Sequence, residues 1–149
     1  MARIYGVTSV TNADCFNGVN EGVFLRGKTQ GTGSTFLTTG GDTFEKLCNT
    51  FVIGSNTALI FDVSIGAVTT SGSAAGLWRF SGVIRRETTT YSTKLVGVTP
   101  PAVIADPQFA ATYVEVYEDI SIGALMISVS GTPNIELYWN ANFRIKEMK

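Results

Sequence analysis

Ile135-Glu136-Leu137-Tyr138-Trp139-Asn140-Ala141-Asn142-Phe143-Arg144-Ile145-Lys146 is the stretch that decides the fold class of this chain. Its odd positions are all apolar, and its even positions are Glu, Tyr, Asn, Asn, Arg and Lys. Side chains alternate between two faces along a strand, whereas an amphipathic helix needs apolar residues at i, i+3, i+4 and i+7. The alternation therefore predicts one long strand with one face on a core and the other in water.

The same period runs outward from this segment. Leu59, Phe61, Val63 and Ile65 are apolar with Asp62 and Ser64 between them, and Trp78, Phe80 and Ile84 share one face opposite Arg79, Ser81 and Arg85. Further strands are expected at residues 3–10, 22–28, 35–39, 91–98, 112–117 and 125–130. Turn signals separate them: Gly40-Gly41-Asp42, Gly54-Ser55-Asn56, Ser71-Gly72-Ser73, Pro100-Pro101, Asp106-Pro107 and Gly131-Thr132-Pro133. Helix is expected only in short pieces, one or two turns at residues 42–47 and one turn at 106–111. Eight or nine short strands with regular turns predict an all-β fold, a single antiparallel β-sandwich or jelly roll of about eight strands, with residues 1–10 as an N-terminal strand or arm.

Composition agrees. The 149 residues include 19 Thr, 11 Ser and 16 Gly against 8 Leu, a balance that favours strands and turns over helices. That length is expected to form one domain with a sizeable core. Charged residues make up only 15%, so the polar surface has to come from Thr, Ser, Asn and Gly. The net charge of −1 offers no positive field for phosphates, and the densest basic point, Arg85-Arg86, is followed at once by Glu87. No nucleic-acid partner is expected. The first ten residues lack the apolar core of a signal peptide, and no run of apolar residues is long enough to span a bilayer. Synthesis in a host cytoplasm and no membrane partner are the expectations. Cys15 and Cys48 form no Cys-x-x-Cys pair, which leaves them as two thiols or as one bridge.

With no histidine in the chain, Ser-His-Asp and Cys-His hydrolysis, histidine-ligated metals and histidine bases are all excluded. Residues 22–29, Gly-Val-Phe-Leu-Arg-Gly-Lys-Thr, match the pattern G-x-x-x-x-G-K-[ST], and Leu59-Ile60-Phe61-Asp62 resembles the magnesium-holding strand that accompanies it. That motif needs a tight loop of backbone N–H groups and a helix behind it. Here the x positions are strand-like and Gln30-Gly31-Thr32-Gly33-Ser34 follows, so coincidence is the better reading. Asp62, Glu87, Glu115, Glu118, Asp119 and Glu136 are candidates for a glycosidase carboxylate pair, but solvated acids are the ordinary reading and no enzyme is expected. No Asp-x-Asp-x-Asp-Gly loop is present for calcium, and neither cofactor nor metal is expected. Trp78 and Trp139 lie on apolar faces, as core residues do; a sugar-stacking platform is the sharper alternative. Tyr138 stands on the polar face, and Tyr91, Tyr113 and Tyr117 lie in mixed strands, where tyrosines suit protein contacts.

The second half resembles a known group. Leu77-Trp78-Arg79-Phe80-Ser81-Gly82-Val83-Ile84-Arg85-Arg86 is followed by Ser92-Thr93-Lys94-Leu95-Val96-Gly97, then by Thr112-Tyr113-Val114-Glu115-Val116, Met126-Ile127-Ser128-Val129-Ser130-Gly131 and Trp139-Asn140-Ala141-Asn142-Phe143-Arg144-Ile145. This order is similar to β-sandwich domains of tailed-phage virion proteins, found at the C-termini of tail-fibre and head-fibre chains. The resemblance implies a structural subunit of the virion. Because no shaft precedes the domain, the expectation is a capsid decoration (cement) protein, a homotrimer that binds the major capsid protein across subunit junctions and stabilises the head. The positive mean hydropathy of +0.20 is in keeping with apolar surface buried between subunits. Expected contact residues are Arg3, Tyr5, Phe24, Arg26, Lys28 and Tyr138. The alternative is a receptor- or carbohydrate-binding module at the tail tip.

Overall fold

The computed structural model describes residues 22–38, 51–110 and 112–148. Ten strands are formed among them: β1 (Gly22–Gln30), β2 (Ser34–Phe36), β3 (Phe51–Val52), β4 (Thr57–Thr69), β5 (Ala75–Arg86), β6 (Lys94–Val98), β7 (Ala102–Ala105), β8 (Tyr113–Asp119), β9 (Ala124–Ser130) and β10 (Glu136–Glu147). They make two antiparallel sheets. The larger runs β1-β10-β4-β5-β6, with β7 also paired to β5; the smaller runs β2-β9-β3, with β8 on the other edge of β9. The all-β sandwich expected from the alternation is the fold.

The deciding strand is central to the larger sheet. β10 pairs along its length with β1 on one side and β4 on the other, Trp139 standing opposite both Gly27 and Ala67. Its odd side chains, Leu137, Trp139, Ala141, Phe143 and Ile145, are buried, together with Leu59, Phe61, Val63 and Ile65 of β4 and Trp78, Phe80 and Ile84 of β5. Leu125, Ile127 and Val129 of β9 close the core from the smaller sheet. The Phe143 ring meets Phe51 edge-on at 5.5 Å and Phe61 at 6.0 Å, the T-shaped geometry that aromatic quadrupoles favour. The Trp139 indole N–H donates to Thr29 Oγ1 at 2.9 Å, so this large buried ring leaves no polar atom unmet.

Turns fall where the local chemistry allows them. Asn56 and Asn134 take positive φ, a conformation their short amide side chains tolerate, within the Gly54-Ser55-Asn56 turn and just after Pro133. Close approach fixes Gly131, where a Cβ would lie 2.3 Å from the Gly31 carbonyl oxygen.

Several expected boundaries shift. β4 and β5 extend past the alternating cores that announced them. The strand expected at 91–98 begins only at Lys94, because residues Thr90–Ser92 close a 3-10 turn in which Ser92 Oγ donates to the Thr89 carbonyl at 2.6 Å. The single turn expected at 106–111 appears as a 3-10 turn over Pro107–Phe109. β3 and β7 were not expected. The anticipated strand at 3–10, the turn at 40–42, the helical turn at 42–47 and both cysteines lie outside the described residues. Residues 22–30 are a strand, so the phosphate-loop pattern lacks the loop that its chemistry needs.

Candidate functional site

Antiparallel register places paired residues on the same face, so the side of the larger sheet that faces away from the core can be read row by row. One row crosses four strands as Phe24, Asn142, Ser64 and Arg79. The next, on one side, is Arg144, Asp62 and Ser81; on the other side it is Arg26, Asn140, Gly66 and Leu77. Beyond that lie Lys28, Tyr138 and Val68.

At the middle of this face Asp62, Ser64, Arg79, Asn142 and Arg144 line a polar hollow of about 230 Å³. Asp62 Oδ1 accepts a short hydrogen bond from the Ser81 hydroxyl, which holds the carboxylate from the β5 side. Among the described residues, neither Arg79 nor Arg144 has a carboxylate within ion-pair distance. The hollow therefore presents two guanidiniums, one carboxylate, one amide and one hydroxyl. Next to it the Asn140 side chain lies against Gly66, where a Cβ would come within 3.2 Å of Asn140 Oδ1. Phe24, 59% exposed, stands beside Asn142 at the β1 side, and Tyr138, 48% exposed, stands two rows away.

Tyr138 is held by its neighbours. Lys28 Nζ sits 5.7 Å from its ring centroid, within cation–π range, and forms an ion pair with Glu136 at 3.1 Å. The hydrogen bond and charge of Glu136 raise the pKa of the Lys28 ammonium above its ordinary value. At this exposure the pair orients the side chains more than it stabilises the fold.

Four of the six expected contact residues, Phe24, Arg26, Lys28 and Tyr138, thus fall on one face, while Arg3 and Tyr5 lie outside the described residues. The tryptophans do not join them. Trp78 is 5% exposed and Trp139 2%, and their rings pack on each other at 5.5 Å, so the sugar-platform reading of these two residues is corrected: they are core. Tyr91 and Tyr113 are exposed but do not line the hollow, and Tyr117 belongs to a separate small cluster with Val52, Ile122, Ala124 and Met126. Of the acidic candidates, Asp62 alone reaches the hollow. Sequence reasoning placed Arg79, Asn142 and Arg144 on polar faces without marking them as a site.

No family description and no curated protein matches this sequence. Among solved structures, the chain is similar to the tailspike protein of Acinetobacter phage vB_ApiP_P1, with a TM-score of 0.45 and 6% identity over 99% of this chain. It is also similar to the tailspike protein of Acinetobacter baumannii phage AM24, with a TM-score of 0.37 and 11% identity over 83% of this chain. This chain spans 26% of the length of each.

Proposed function

We propose that this chain is a saccharide-binding module of a phage particle, with the exposed face of the larger sheet as its binding surface. The observation that carries the reading is the polar hollow with Phe24 beside it. A sugar ring offers an apolar face that stacks on an aromatic ring and a rim of hydroxyls that pair with amides, carboxylates and guanidiniums. Asn142, Ser64, Asp62 and the two arginines supply that rim, and Phe24 supplies the ring. The lining residues stand on β4, β5 and β10, each paired on both sides, and Phe24 on the edge strand β1; the fixed backbones of the three inner strands favour a preformed site. The phage setting rests on the sequence resemblance of the second half to virion sandwich domains.

Binding rather than hydrolysis is the expected activity. Only one carboxylate, Asp62, lines the hollow, whereas glycosidic cleavage ordinarily uses a facing pair. Glycan-array screening of the purified chain tests the reading. Phe24→Ala and Asn142→Ala should each weaken binding of a captured saccharide, by roughly tenfold where a net hydrogen bond is lost. Unchanged binding by both variants would remove this face from the site.

A second reading, a homotrimeric cement protein seated on the major capsid protein, is favoured by a different observation. Val96, Val98, Val103 and Ile104 are exposed along β6 and β7, an uncharged strip at the edge of the sheet. Exposed apolar edges are suited to protein contact. Light scattering on the chain and counts of its copies per virion test it: a trimer in hundreds of copies per particle supports cement, and a monomer in a few copies does not.

A further inference from the structure

We propose that the hollow recognises the carboxylate of an acidic sugar residue, a uronate, held between Arg79 and Arg144; this rests on the saccharide reading above.

Charge comes first. The lining holds two arginines and one aspartate, a sum of +1 before a ligand arrives. Among the described residues neither guanidinium has an ion-pair partner, in contrast with Lys28, paired to Glu136 at 3.1 Å, and Arg85, paired to Glu87 at 3.2 Å. A neutral sugar leaves this charge unmatched, a monovalent carboxylate cancels it, and a dianionic phosphate overshoots it.

Geometry points the same way. Arg144 on β10 and Arg79 on β5 are separated by one intervening strand, β4, and offset by two residues along it, so their backbones stand roughly 12 Å apart. Both side chains line the same hollow above Ser64 and Asp62. Guanidinium groups present planar forks that match a planar carboxylate, and this match is what distinguishes them from ammonium groups as anion ligands. Asp62 is committed to the Ser81 hydroxyl on one oxygen, which leaves its other oxygen for a sugar hydroxyl. Asn142 and Ser64 are uncharged donors and acceptors suited to the remaining hydroxyls, and Phe24 lies in the same row for the ring face. An acidic peptide uses the arginines equally well, but it gives no role to an exposed phenyl ring beside an amide. The saccharide is therefore the favoured occupant.

The experiment is calorimetric titration of the whole chain with three uronate polymers (polygalacturonate, alginate and hyaluronan) and with the same polymers after chemical reduction of their carboxyls to alcohols. A neutral glycan array, a set of sulfated and phosphorylated saccharides, and a poly-glutamate peptide run alongside. The expected result is binding of at least one uronate polymer, at least tenfold weaker after carboxyl reduction and weakened by added salt. Arg79→Gln and Arg144→Gln should each lower that affinity about tenfold, with unfolding curves superimposable on the parent. The carboxyl-reduction arm uses the unaltered chain, so it holds even if a variant folds poorly. Equal binding of reduced and unreduced polymers, or preference for neutral, sulfated or phosphorylated saccharides, overturns the carboxylate assignment while the saccharide reading stands. Binding of the poly-glutamate peptide alone, or of nothing in any set, overturns both.

Discussion

The two faces of the larger sheet are built by alternate residues of the same strands, yet they are governed by different physics. On β10 the inward set is Leu137, Trp139, Ala141, Phe143 and Ile145, all buried; the outward set is Tyr138, Asn140, Asn142, Arg144 and Lys146, all exposed except the half-buried Asn142. The inner face is determined by volume. Trp139 packs on Trp78, Phe143 meets Phe51 and Phe61, and the Trp139 indole nitrogen, brought inside with its ring, has its acceptor in Thr29. The outer face is free of that constraint, since solvent satisfies any side chain it carries. It nevertheless concentrates Asp62, Ser64, Arg79, Asn142 and Arg144 in one hollow. The inner face thus explains why the chain folds, and the outer face is where a function can be changed without unfolding it.

Substitutions on the two faces should therefore separate stability from binding. The largest effect is expected from Trp139→Ala, which removes a wholly buried ring from the centre of the core and should lower unfolding free energy by about 3–5 kcal/mol in urea titrations. A loss below about 1 kcal/mol would mean that the inner face is not the tightly packed core described above. Thr29→Val keeps the shape but strips the acceptor from the Trp139 indole, and should cost about 1–3 kcal/mol because a buried donor is left unpaired. By contrast Arg79→Gln, on the exposed face, should change stability by no more than about 0.5 kcal/mol while weakening uronate binding, the reverse of the Trp139 pattern.

The smallest expected effect concerns the other sheet. Burial, reinforced by the charges of Asp119 and Glu115, raises the pKa of Tyr117 above its ordinary value of 10.0. A raised folded-state value means that the contribution of the protonated phenol is complete below pH 10 and fades as pH rises through the folded value. Tyrosinate absorbance should show one late-titrating group that is lost in Tyr117→Phe. A normal midpoint for every tyrosine would show that this ring is not shielded.

What was legible in the sequence follows a simple division. Residues 135–146 announced a strand and its two faces, and the structure agrees residue by residue from Glu136 to Lys146. The tryptophans were assigned to apolar faces by the same rule, and both are buried. β7 was missed because Ala102-Val103-Ile104-Ala105 does not alternate and follows two prolines that read as a turn; it is a strand only because β5 offers it an edge. The hollow was missed for a related reason. Its residues come from positions 62 and 64, 79, and 142 and 144, on three strands, and nothing local marks them as neighbours.

The sequence alone determined which side chains of each strand share a face, because the period of two is a property of the extended backbone and needs no partner. Which strands stand side by side, and in what register, is set only when the two sheets pack. Those pairings are made by backbone N–H and C=O groups that are the same in every residue, and the register is selected by how two sheets fill one core. The placing of Arg79 and Arg144 on either side of Asp62 and Ser64 is a consequence of that selection.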